Sequence, residues 1–261
     1  MLLKLTMFTL YLFSLGMFID TNYITQIPKE IFNEFIICFG ITTLSYFFSE
    51  ELLNKYIKSF NEIKPTHKKM YVIKNFIKSL FLAILCTQLY KFVDLLDGKL
   101  DLFFIKRCCI YYIMNDVVGL LLVDKLPTTT KIHHMTTSLC GFAIIMKENN
   151  NLDVLTLIVL YAVFSSMAFC VSFYLGLRIF SSNIKFKRYL SNISFWTYLL
   201  SCIINWILQL FLAFKLINLV PFYHIIFYIC FLYFVGKDDI ILMKWLYDDH
   251  LTFKKIMLEK I

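Results

Sequence analysis

Residues 111–139 read YYIMNDVVGLLLVDKLPTTTKIHHMTTSL. An apolar run is interrupted by Asn115 and Asp116, a short turn follows around Pro127, and His133 and His134 open a second apolar run. Helices joined by so short a turn pack as antiparallel neighbours. Asp116, about two turns before the first helix ends, then lies near the depth of a residue one turn into the second. A carboxylate at the centre of a membrane helix costs about 2.5–3.5 kcal/mol. Asp116 should therefore face the bundle or a wet cavity, together with at least one imidazole.

The rest of the chain places this hairpin in a membrane. Of 261 residues, 59% are hydrophobic, mean hydropathy is +0.70, and there are only 7 Gly and 4 Pro. That apolar content exceeds what a soluble core needs and marks a polytopic membrane protein. Runs near the roughly 20 residues that cross a bilayer recur throughout. They fall at about 2–19, 31–48, 71–93, 103–123, 132–147, 152–176, 194–214 and 217–236. The fold class expected is all-α, a polytopic bundle of about eight spans, because lipid-embedded backbone must satisfy itself within each segment and no alternating barrel pattern occurs. The segment after Ile19 lacks a small-x-small cleavage pattern, so 2–19 reads as a retained anchor.

Charge supplies the orientation. The loops 49–70, 124–131, 177–193 and 237–261 hold sixteen Lys and Arg, whereas the opposite side holds seven, namely Lys29, Lys91, Lys99, Lys106, Arg107, Lys147 and Lys215. The positive-inside rule places both termini on the cytoplasmic side. The net charge of +8 is scattered over membrane-flanking loops, which fits topology signals and acidic-lipid contacts rather than nucleic acid. All eight cysteines lie within apolar runs, as small hydrophobes do, not in a disulfide or thiolate-metal pattern.

The polar residues inside the spans each have two readings. Asp116 shares a helix face with Tyr112 and Gly119, as either an interhelical hydrogen bond or a functional acid. Thr128 to Thr130 offer capping hydroxyls to the helix that carries the histidines. Adjacent residues diverge by about 100° on a helix, so one imidazole should face inward and the pair should not chelate a metal as an i, i+4 pair does. No metal is expected. Ser201, Asn205 and Gln209 continue a stripe from Thr197 that either glues helices or lines a polar channel. Ser165, Ala168, Ser172 and Gly176 form a small-residue face suited to close packing.

An acidic span, a short turn and a His-His span together resemble the TLC domain, the homology module of TRAM, LAG1 and CLN8 proteins that includes the ceramide synthases. The resemblance covers 66–250, leaving 1–65 as two N-terminal spans with a basic linker and 251–261 as a cytoplasmic tail. It implies a six-helix core around a central cavity. Asp116, His133 and His134 fall on the family's acidic and histidine positions, and Arg178 in FYLGLRIF looks like its span-ending arginine. The departure lies one span on, where LDVLTLIVLYAVFSSMAFC lacks the second acidic motif of the synthases.

The expected function is to bind, sense or move membrane lipids, with Tyr112, Arg178, Ser201, Asn205 and Gln209 lining the cavity. A divergent N-acyltransferase is the alternative, with His133, His134 and Asp116 as catalytic groups and acyl-CoA as co-substrate; no other cofactor is expected. A third reading is a small-solute transporter, against which stands the absence of Gly- or Pro-interrupted helices. The partners expected are membrane lipids, with oligomeric state left open. The resemblance implies the endoplasmic reticulum or another internal membrane of a eukaryotic cell, including a cell that hosts a large DNA virus.

Overall fold

In the computed structural model the described residues are 27–92, 101–147, 153–217 and 220–258, and among them there is helix and no strand. The helices are α1 (Lys29–Tyr56), α2 (Lys58–Asn61), α3 (His67–Cys86), α4 (Leu102–Leu122), α5 (Thr128–Ile145), α6 (Val154–Ser165), α7 (Phe169–Leu177), α8 (Ile184–Leu216) and α9 (Phe222–Leu258). A 3₁₀ turn at Ser166–Ala168 joins α6 to α7 into one rod. The expected span at 2–19 lies outside the described residues. Added to the rods α1, α3, α4, α5, α6–α7, α8 and α9, it fits the count of eight.

Among the described residues three helices are long and apolar enough to cross a membrane: α1, the α6–α7 rod and α8. At about 1.5 Å per residue the 24-residue rod is some 36 Å long, enough for a hydrocarbon core of about 30 Å. The remaining long helices carry ionisable groups in their middles, including Lys74 and Lys78 on α3, Asp116 on α4, and Asp238 and Asp239 on α9. These groups turn inward, where Lys78 meets Asp116 and Asp238 meets His133.

Several boundaries differ from the hydropathy reading. Helix α9 runs to Leu258, through the segment read as a loop from 237, and α8 starts at Ile184 inside the loop read as 177–193. A charged cluster ends an apolar run but breaks no backbone hydrogen bond, so the helix continues. Side-chain caps set other starts. Asp101 accepts from Phe104 N, Asn183 from Phe186 N, and Asp153 from Thr156 N while Lys147 Nζ lies 2.9 Å from the Asp153 carboxylate. Helix α5 departs from expectation: its N-cap position is Pro127, without a side-chain cap, and Thr128 to Thr130 form its first turn.

Two glycines permit the close approaches that shape the bundle. A Cβ at Gly141 would come within 2.5 Å of Ile113 Cγ2, so α4 and α5 touch almost backbone to side chain. A Cβ at Gly176 would come within 3.1 Å of Val72 O, so α7 lies against α3. Helix α1 packs on α3 and α4, with Arg107 Nε 2.8 Å from Glu34 and Tyr46 OH donating to Asn115 Oδ1 at 2.9 Å. The α6–α7 rod is interrupted although it contains no proline. Ser165 and Ser166 donate to the carbonyls of Tyr161 and Val163, which tightens the turn.

Candidate functional site

Asp116 is completely buried, and α3, α4 and α5 converge on it. Its Oδ1 lies 2.5 Å from Lys78 Nζ and 3.0 Å from His134 Nδ1, and its Oδ2 accepts from Thr137 Oγ1 at 3.4 Å. Lys78 and His134 reach the same oxygen from opposite helices. His134 is 3% exposed as a residue, and among the described residues neither of its ring nitrogens makes a hydrogen bond, the Asp116 contact being one of distance alone. Buried polar atoms without partners are rare and call for a ligand or an internal role.

A second acid stands on the other side of the His pair. His133 Nδ1 lies 3.5 Å from Asp238 Oδ2 on α9, and the two imidazoles meet edge to face at 5.5 Å between centroids. Next along α9, Asp239 accepts from Tyr161 through Oδ2 and from Tyr198 through Oδ1 at 2.8 Å. Each imidazole therefore faces its own carboxylate. One is anchored by a lysine ammonium and the other adjoins a carboxylate clamped by two phenols.

A cavity of about 330 Å³ is lined from α3, α4, α5, the α6–α7 rod, α8 and α9, with Asp238 and Asp239 on its wall, whereas Asp116, in contact with Lys78 and His134, is not itself part of the lining. Tyr112, His133, His134 and Arg178 line it, as do Lys74 and Lys78. Ser201, Asn205 and Gln209 do not. They are buried where α8 meets α6 and α9: Asn205 Nδ2 donates to Tyr161 O at 3.0 Å, Gln209 Nε2 to Asn205 Oδ1 at 3.2 Å, and Tyr228 OH to Gln209. The stripe is helix glue, because hydrogen bonding between helices consumes the groups a channel would need. Of the small-residue face, Ser165, Ala168 and Ser172 line the cavity, and Gly176 sits at a close contact with α3.

The divergence of adjacent side chains is also smaller in effect than the 100° step implied. Asp116, His133 and His134 each offer one ligand atom, all within 4.8 Å of one another, a spacing open to a metal ion. The electrostatics oppose one. Lys78 already places a cation against the carboxylate, and a divalent ion there would face the ammonium at close range. The arrangement suits proton transfer or hydrogen bonding to a ligand better than metal coordination.

No family model, curated protein or solved structure matches the chain.

Four participants escaped the sequence reading. Lys74 and Lys78 stand one turn apart in KNFIKSLF, on one face of an otherwise apolar helix. Asp238 and Asp239 stand in VGKDDIILMKW, where a span was ended at the first charge. Ionisable groups flanked on both sides by apolar residues were the available signal in both places.

Proposed function

We propose that this chain is a multi-pass membrane protein of the TLC kind that takes the polar end of a membrane amphiphile into the cavity beside the His pair. The observation that carries the reading is a 330 Å³ space reached by six helical segments, with unsatisfied polar atoms on its wall and lipid-length helices around it. Six contributing segments are what a six-helix core would provide. Apolar walls beside a few convergent polar groups are the common form of a small-molecule site. In this reading both termini are cytoplasmic and the protein resides in an internal membrane.

Lipid mass spectrometry of the full chain purified in mild detergent tests it. A co-purifying amphiphile, lost when the cavity is filled by Ser172→Phe, is the expected result. A protein that carries no lipid beyond the bulk composition of its membrane would refute it.

Acyl transfer is a second reading, favoured by one observation. His134 Nδ1 lies 3.0 Å from the Asp116 carboxylate while Nε2 has no partner among the described residues, a placement from which a small ring rotation would let the acid orient the imidazole for base or nucleophilic work. Asp238 and Asp239 bring acids to the site from α9, whereas the span directly after the His pair, the α6–α7 rod, lacks the synthases' second acidic motif. Labelled acyl-CoA with a panel of amine acceptors decides between the readings. Under lipid binding alone, His134→Ala changes affinity by about 0.5–1.5 kcal/mol. Under catalysis it lowers turnover by about two orders of magnitude with binding kept.

A further inference from the structure

The cavity contains cations that the bundle leaves without acceptors. Lys74 is 3% exposed and lines the cavity, yet it makes no hydrogen bond or ion pair with any described residue; its ammonium lies 5.8 Å from the Tyr71 ring centroid. Its stem packs against Gly119, where a Cβ would meet Lys74 Cγ at 3.3 Å. Arg178 lines the same cavity from the end of α7. Its guanidinium is stacked 3.8 Å from the Trp245 ring centroid, and its Nε is buried with no partner. The neighbouring acids are engaged elsewhere: Asp116 with Lys78 and His134, Asp238 with His133, and Asp239 with the Tyr161 and Tyr198 hydroxyls.

An ammonium has three donors and a guanidinium five, all fixed as donors at any physiological pH for arginine. A ligand that satisfies both must present several acceptor oxygens and negative charge. A carboxylate offers two oxygens; a phosphate ester offers more and pairs with guanidinium in bidentate fashion. Position points the same way. Arg178 follows the last residue of α7, and Thr129 and Thr130 of the first turn of α5 share the lining, so the cavity reaches the bundle end where lipid headgroups lie.

We propose that Lys74 and Arg178 form a phosphate site, and that its occupant is the phosphate of a phospholipid headgroup drawn into the cavity. This rests on the amphiphile-binding reading above and narrows it to a chemical class. Trp245, by stacking on Arg178, holds the guanidinium flat and free of water on one face. Lys74, gripped along its stem by Gly119, has little freedom to turn away.

Native mass spectrometry titrations of the detergent-solubilised full chain test this with three probes: phosphatidic acid, diacylglycerol with the same tails, and inorganic phosphate. Phosphatidic acid should bind at least about tenfold more tightly than diacylglycerol. Arg178→Gln and Lys74→Gln should each remove most of that difference. Lys185→Gln with Arg188→Gln, surface cations outside the cavity, should leave it intact. Arg178, at a helix end, carries the test if Lys74→Gln does not fold, and Lys74→Arg should keep the preference. Equal binding of the two lipids overturns the phosphate site but leaves amphiphile binding standing, whereas binding of neither lipid overturns both. A loss on Lys185→Gln with Arg188→Gln as large as on Arg178→Gln also overturns it. Inorganic phosphate bound as tightly as phosphatidic acid would overturn the lipid as its source.

Discussion

Burial decides which charges matter at the scale of the residue. Asp116 and Lys78 form an ion pair whose acid is wholly buried, so removing one partner strands the other in a medium that cannot solvate it. Asp116→Asn or Lys78→Met alone should destabilise the chain by about 3–5 kcal/mol, and the double replacement should recover most of the loss. Thermal unfolding in detergent checks this; additive losses would show that the two side chains do not act as a pair. The placement of Asp116 near at least one of His133 and His134 was legible in YYIMNDVVGLLLVDKLPTTTKIHHMTTSL, because a short turn and the cost of a lipid-exposed carboxylate leave few alternatives; which imidazole it meets was not. Lys78 was not legible. Its partner is 38 residues away, and one sequence shows no sign that a lysine on one helix answers an aspartate on the next.

Close packing at a few small residues governs the elements. Gly141 faces Ile113 across the α4–α5 contact, with 2.5 Å available to a Cβ, and the hairpin that aligns Asp116 with His134 depends on that approach. Gly141→Ala should cost about 1–3 kcal/mol by overpacking. Ile113→Ala in the same chain should restore part of it, measured as the unfolding midpoint of the double variant. An undiminished loss in the double variant would mean the collision lies elsewhere. The element boundaries were the least legible feature, as α9 shows: the charges at 237–239 look like the edge of a membrane span, yet they sit inside a helix that continues to Leu258. Hydropathy reports where side chains prefer to be, whereas helix ends are set by caps and backbone geometry. The 3₁₀ turn at Ser166–Ala168 had no Gly or Pro to announce it; serine hydroxyls bonding back to the chain supply the distortion instead.

For the whole molecule, sixteen basic residues on one side against seven on the other predict an even number of crossings with both termini cytoplasmic. Glycosylation acceptors inserted near residues 24 and 150 should be modified, and those near 60 and 185 should not. Modification at both 150 and 185 would remove a crossing between them. The helical class of the fold was readable from composition alone, since a chain this apolar with no barrel periodicity has one way to satisfy its backbone. The cavity was not readable, because its wall is assembled from residues 71 to 245 and each helix contributes only a few side chains. That assembly bears on biogenesis. In the membrane reading proposed above, Lys78 emerges from the ribosome before Asp116, and Asp238 and Asp239 come last, so α3 enters the bilayer with a charge whose partner has yet to be synthesised. The unfinished bundle must wait in a protected lateral space, and a nascent chain halted before α9 displays an unanswered His133 to whatever machinery inspects half-built membrane proteins.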